Sequence, residues 1–346
     1  MSGYNILFIG SKWWGADSRA LGSAFRRSGN TLVEVDRLDS FPVRWQGFLL
    51  KVVRKLLIPF CTSDFNKRIL ISARNREFDF VVVCKGSYIF PETLKELKKT
   101  GTPLYCFYPD VSFKDHGKDL WNSLPEYDCI FTTKQFHLDQ PELRDHVKEL
   151  QITSHGYDPD VHRPIDVASS SFDSYRCDVS FVGAWSPKKE QTIKCLAEKC
   201  SGIEISVAGP SWWRASEPVL SLWQGRELRG DELAIQYASA KINLGILSAA
   251  GGGTIVGDQV TTRTWHVPAC GGFLLHEHTE ELCNYFEPGK EVASYGCLEE
   301  LADKVNYYLS NDAERLKVID RAMQRTSSSP YSYDATAQQI LTYHAK

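Results

Sequence analysis

The chain has 346 residues, enough for two domains with separate cores. Its 42% hydrophobic and 24% charged content is that of a globular protein and excludes a disordered or fibrous one. A net charge of −3 offers no basic surplus, so no nucleic-acid partner is expected.

Residues 4–9 are expected to form a buried strand. The terminus before them has neither the basic start nor the long apolar region of a signal peptide, and no later run is long enough to cross a bilayer. A cytoplasmic location is therefore expected, with scope for contact at the inner face of the membrane. A loop, 10–15, leads to a helix at about 16–28, closed by Gly29-Asn30. Residues 31–35 are the second strand. Two helices follow, at 44–58 and 63–76. The stretch from Arg44 to Phe60 has two readings. Its basic residues at 44, 51 and 55 share one helical face, which suits peripheral membrane contact with anionic lipid; packing on the sheet is the plainer reading. Strands at 79–84, 104–108 and 129–132 surround a helix at 91–99 that has proline in its first turn. Strands alternating with helices imply a parallel sheet with helices on both faces.

The pattern breaks at 155–171, where prolines and Ser169-Ser170-Ser171 read as a connection between domains. Alternation restarts with strands at 178–182 and 203–208, a helix at 231–238 and a strand at 241–246. A glycine run, Gly251-Gly252-Gly253, then precedes Asp258, Thr261, Thr262 and Arg263, a short helix ending near Pro268, and a strand at 272–275. A helix start with hydroxyls and a guanidinium suits an anion such as phosphate, and a plain solvated connection is the alternative. The ten cysteines contain no C-x-x-C pair and read as small buried hydrophobes of a reducing compartment. The nine histidines lack metal-type spacing, so no metal and no other cofactor is expected.

The expected fold class is α/β, with two Rossmann-like doubly wound domains, 1–160 and 161–330, facing a central cleft, and a C-terminal helix at 331–346 crossing back to the first domain. That is the GT-B architecture of glycosyltransferases, in which the first domain receives the acceptor and the second the sugar nucleotide.

Through Asp178-Val179-Ser180-Phe181-Val182-Gly183-Ala184-Trp185-Ser186-Pro187-Lys188-Lys189-Glu190 and Thr262-Arg263-Thr264-Trp265 the second half resembles the CgeB-type glycosyltransferases related to spore-maturation proteins. The resemblance continues through Pro268-Ala269-Cys270-Gly271-Gly272, Phe286-Glu287-Pro288-Gly289 and Glu300-Leu301-Ala302-Asp303-Lys304, some 130 residues with the matches in order. It implies a metal-independent and retaining transfer of sugar from a nucleotide-sugar donor to a glycan or lipid-linked acceptor in bacterial surface polysaccharide synthesis. In the wider retaining class two glutamates are separated by seven intervening residues; their places fall here on Asp258 and His266, the second being the ribose position. With the resemblance, the diphosphate is expected at Arg263 with Lys188 or Lys189, a solvated first helix turn being the alternative for the two lysines, and the base in the neighbourhood of Arg229.

On the acceptor side, Asp17, Lys85 and Asp110 follow strand carboxyl ends and are the candidate catalytic groups. Asp110 would be a base in an inverting reaction and a positioning group in a retaining one; capping a turn is its structural alternative. A nicotinamide oxidoreductase is disfavoured because Gly10-Ser11-Lys12-Trp13-Trp14-Gly15 is not G-x-G-x-x-G. A non-catalytic GT-B-like binding or scaffold protein remains the second reading, given the altered residues 258 and 266.

Overall fold

A computed structural model describes residues 3–41, 48–74, 76–250, 254 and 256–346, with the backbone alone at 48–55. The expectations for Gly251-Gly252-Gly253 and for the helix start at Arg44 lie outside the described residues. The chain divides into two compact units. The first holds residues up to Ser154 and from Tyr333 onward, together with 250–256; the second holds His155–Ala249 and Gly257–Ser332.

The first unit runs β1 (Asn5–Gly10), α1 (Asp17–Arg27), β2 (Thr31–Asp36), α2 (Phe48–Ala73), β3 (Phe80–Cys84), α3 (Pro91–Lys98), β4 (Leu104–Tyr108), α4 (Lys118–Ser123), β5 (Cys129–Thr132), α5 (Pro141–Arg144) and β6 (Leu150–Ile152). The strands make one parallel sheet in the order β2-β1-β3-β4-β5-β6. Strands covered on both faces need continuous apolar runs, and all five residues of β4 are buried. On one face lie Leu7, Val81, Val83, Phe65 and Ile69; on the other, Phe8, Phe25, Phe80, Phe107 and, from the end of the chain, Tyr333, Ala337 and Ile340. α1 buries Ser18, Leu21 and Phe25 at helical spacing, with Asp17 in its first turn and Arg26 and Arg27 in its last.

Where two helices were expected, at 44–58 and 63–76, one 26-residue helix passes through Pro59. The prolyl ring removes one donor, and Thr62 Oγ1 donates to the Ile58 carbonyl at 2.8 Å in that turn. Tertiary packing of Phe65 and Ile69 outweighs the local breaker.

The second unit runs β7 (Cys177–Val182), α6 (Pro187–Lys199), β8 (Ile205–Ala208), α7 (Asp231–Ser239), β9 (Ala240–Gly245), α8 (Arg263–Ala269), β10 (Leu274–Glu277), α9 (Glu280–Tyr285), β11 (Ala293–Tyr295), α10 (Leu298–Ser310) and α11 (Asp312–Ser328). Its parallel sheet has the order β11-β10-β9-β7-β8. α12 (Tyr333–His344) belongs to the first unit. Each sheet reverses its winding once, between β1 and β3 and between β7 and β9. Such a switch point parts the loops at the strand carboxyl ends and leaves a crevice for a ligand.

Candidate functional site

At the first switch point a cavity of about 370 Å³ opens over the ends of β1, β3 and β4, lined by Ser11, Trp13, Asp17, Arg37, Lys85, Ser87, Tyr88 and His116. Ser18 ties the loop after β1 to α1: its hydroxyl donates to the Ser11 carbonyl at 2.6 Å and accepts from the Ser11 amide at 3.0 Å. Lys85 Nζ lies 3.0 Å from Asp110 Oδ2 and His116 Nε2 2.9 Å from the same oxygen. Burial works against the Asp110 charge, but the hydrogen bond from His116 and the charge of Lys85 outweigh it and hold the carboxyl well below the usual range. Burial likewise opposes the charge of Lys85, and Asp110 and Asp17 together raise its pKa regardless. Asp17 goes the other way: burial raises its carboxyl above the ordinary value, with Lys85 only partly offsetting it. Asp17, which lines the cavity, and Asp110, which pairs with the lining residues Lys85 and His116, thus differ in proton affinity, which separates a group able to accept a proton from a fixed charge.

At the second switch point the charges are arranged differently. Arg263 opens α8 and is 8% exposed. Its guanidinium donates to the Val182 carbonyl at 3.1 Å and the Ile246 carbonyl at 2.8 Å, bridging the ends of β7 and β9, and its buried Nε has no hydrogen-bond partner among the described residues. Lys189, in the first turn of α6 and 6% exposed, bridges the same two loops, donating to the Ala184 carbonyl at 3.2 Å and to Ser248 Oγ at 3.4 Å. Burial, then the neighbouring Arg263 charge, push the Lys189 ammonium down to about 8. Lys188, one residue earlier, pairs with Glu277 at the end of β10, at 2.7 Å. Ser186 caps α6 through its hydroxyl.

Close backbone approach explains two glycines here. A Cβ on Gly183 would stand 2.8 Å from the Arg263 guanidinium, and one on Gly209 would stand 2.1 Å from the Gly183 carbonyl oxygen. The glycine after β7, legible in the sequence, is what lets Arg263 reach the strand ends.

The remaining candidates divide. Asp258 acts electrostatically on both Lys189 and Arg263. Thr261 is buried, its hydroxyl oxygen lacking a hydrogen-bond partner among the described residues, and Thr262 lies half-buried before α8. α8 begins at Arg263. Arg229 is exposed and ion-paired with Glu227 at 2.5 Å. His266 is buried, its ring stacked 3.6 Å from His162, with Nε2 facing the Gly156 carbonyl at 3.1 Å. Burial lowers its pKa to about 3, so it does not titrate near the ordinary histidine value. A ring so engaged packs α8 against the segment that opens the second unit. Sequence reading did not single out Ser248, Glu277 or Arg37, each of which reaches its site only through the sheet topology.

Residues 188–342, somewhat less than half of the chain, match the family described as Glycosyl transferase-like. No curated protein matches in sequence. Among solved structures the chain resembles the sucrose-phosphate synthase of Thermosynechococcus elongatus, with a TM-score of 0.68 at 13% identity, covering 99% of this chain and 98% of that one. It resembles a glycosyltransferase from Rickettsia africae at TM-score 0.65 and 13% identity, over 99% and 98% of the two chains. For Anabaena HepE in complex with UDP-glucose the values are 0.62 and 14%, over 99% of each chain. At these identities the likeness shows the fold. The architecture is GT-B along the whole chain, and residues 188–342 match the Glycosyl transferase-like family.

Proposed function

We propose that the protein transfers a sugar from a nucleotide-sugar donor, whose diphosphate binds the second unit at Lys189, Arg263 and Lys188, to an acceptor held in the cavity of the first. One observation carries the donor assignment: Lys189 and Arg263 are adjacent, buried and cationic, and among the described residues donate only to carbonyl and hydroxyl oxygens. Asp258 and Glu277 offset the repulsion between these two charges only in part, and a diphosphate would supply further negative charge. The same groups would stabilise the departing nucleotide electrostatically, without a metal. That HepE was solved with UDP-glucose supports a nucleotide-sugar donor. Asp258, Thr261 and Thr262 stand beside this position; Arg229 would approach the base. His266 serves the packing of α8 and reaches a ribose only if its stack on His162 opens.

In the acceptor cavity Asp110 and Lys85 position the acceptor hydroxyl, and Asp17 is the better proton acceptor. The acceptor is a glycan or lipid-linked sugar of a bacterial surface polysaccharide, made at the inner face of the membrane. Membrane contact is supported by the outer face of α2, where Leu56, Phe60 and Ile71 are 70%, 73% and 58% exposed beside exposed Lys67 and Arg74. Among the described residues no helix is long and apolar enough to cross a membrane.

Incubation with UDP-, GDP- and dTDP-sugars plus a panel of glycan acceptors, with EDTA present, tests the reading by nucleoside diphosphate release. Release with none of these donors would overturn it. Retention of anomeric configuration follows from the class resemblance. An inverted product by NMR would overturn that part and make Asp17 the base.

A further inference from the structure

The segment joining β3 to α3 has an unusual backbone. Lys85 and Tyr88 are two of the three non-glycine residues with positive φ among the described residues, at 67° and 66°, and Gly86 between them has 73°. Side chains resist this left-handed region, so such a turn persists only where its surroundings impose it, and turns of this kind concentrate at functional sites. This turn forms one wall of the acceptor cavity through Cys84, Lys85, Ser87, Tyr88 and Ile89.

One side chain on α2 makes several bonds to this turn. Asn66 is 4% exposed, and both ends of its amide are occupied. Nδ2 donates to the Tyr88 carbonyl at 2.8 Å and to the Thr62 carbonyl at 2.7 Å. Oδ1 accepts from the Phe90 amide at 2.9 Å and from Thr93 Oγ1 at 2.7 Å. One asparagine thus joins α2, the turn and the first residues of α3. Ser123 adds one bond from α4, to the Ile89 carbonyl at 3.0 Å, and the Lys85 amide donates to the Phe107 carbonyl at 2.8 Å. An amide suits the place because the turn offers a carbonyl and an N–H two residues apart, and only a side chain with both donor and acceptor meets both.

We propose that Asn66 is a positioning residue of the acceptor cavity: gripping the turn at Tyr88 and Phe90, it fixes the wall of the cavity and directs Lys85 onto Asp110. This rests on the reading of that cavity as the acceptor site. Asn66 touches neither the cavity nor Asp110, so its effect passes through the turn.

The chain carries its own reporters. Cys84 ends β3 beside Lys85, is half-buried, and has its thiol pushed well above the ordinary pKa by burial, so it should react slowly in the native protein. Cys106 and Cys129 are buried in the neighbouring strands β4 and β5. N-ethylmaleimide labelling of the full chain, read peptide by peptide by mass spectrometry, separates a loosened turn from a loosened sheet. In Asn66→Ala, Cys84 should label about tenfold faster or more while Cys106 and Cys129 keep their native rates. Asn66→Asp retains the acceptor for Phe90 and Thr93 but loses the donor to Tyr88, and should release Cys84 in the same selective way. It serves as the test should the alanine variant not fold. Unchanged Cys84 labelling in the folded variants overturns the proposal, as does a rise shared equally by all three cysteines, which would mean that Asn66 merely stabilises the domain. Because labelling uses neither donor nor acceptor, selective release of Cys84 together with unchanged sugar transfer would overturn only the acceptor-site reading.

Discussion

The two units share a winding order and a switch point, yet their crevices are charged in different ways. In the first, Lys85 meets Asp110 directly and His116 completes the group, so the Lys85 charge is neutralised within the protein. In the second, Lys189 and Arg263 spend their donors on backbone carbonyls and a serine hydroxyl, and Lys188 alone has a carboxylate partner. Topology provides the crevice, and the charge arrangement determines its ligand. A self-neutralised crevice suits a neutral hydroxylated acceptor, and one with a surplus of buried cations calls for an anion.

Removing the central cation of the second crevice should have the largest effect. Arg263→Ala loses charge-assisted contacts worth about 1.5–3 kcal/mol each, so UDP affinity should fall by roughly tenfold to more than a hundredfold in calorimetry. The melting temperature should fall as well, because the Val182 and Ile246 carbonyls lose their donors. Unchanged UDP affinity in the folded variant would erase the contrast between the units. Gly183→Ala should act similarly but more weakly, by forcing its Cβ against the guanidinium.

A change in the first crevice should separate binding from transfer. Lys85→Met is expected to leave UDP affinity within about twofold of wild type, since Lys85 belongs to the other unit, while sugar transfer drops by at least about tenfold. Equal losses in both would mean that the charge-paired crevice is not reserved for the acceptor.

Much of this was legible in the sequence. Strand-helix alternation gave the architecture, and Gly183, Lys188, Lys189 and Arg263 stood out before any coordinates. Other features were hidden for physical reasons. A proline normally marks a helix end, but α2 continues through Pro59 because Phe65 and Ile69 anchor it on the sheet. His266 looked like a ligand group from its position in the chain; its stack on His162, 104 residues earlier, has no local signature. Nor does the sequence reveal that Asn66 grips a turn more than twenty residues further on.

Acid should weaken the fold more gradually. His137, His162, His266 and His276 are buried with pKa values lowered by burial, to about 4, 3 and 4 for His137, His266 and His276. The unfolded chain binds protons at these sites first, near the reference value of about 6.5, so stability is full above that pH and declines as pH falls below it. Melting temperatures should therefore drop steadily from pH 7 to pH 4.5. His266→Gln, which keeps a donor for Gly156, should reduce that slope; a variant with the wild-type slope would show that this ring contributes nothing to it. The smallest expected effect is that of EDTA, which should leave transfer unchanged if cationic side chains alone neutralise the leaving group.

The most direct test is UDP binding by calorimetry at pH 7 and pH 9, for wild type and Lys189→Met. The phosphates of UDP are ionised at both values, so the change falls on the protein. With Lys189 at about 8 in the free protein, about one molecule in ten keeps the charge at pH 9, and wild-type affinity should fall up to about tenfold. Lys189→Met should bind weakly at both values, without that dependence. Equal wild-type affinity at the two pH values, or a variant that binds as tightly as wild type, would contradict a diphosphate site built on the buried cations of the second unit.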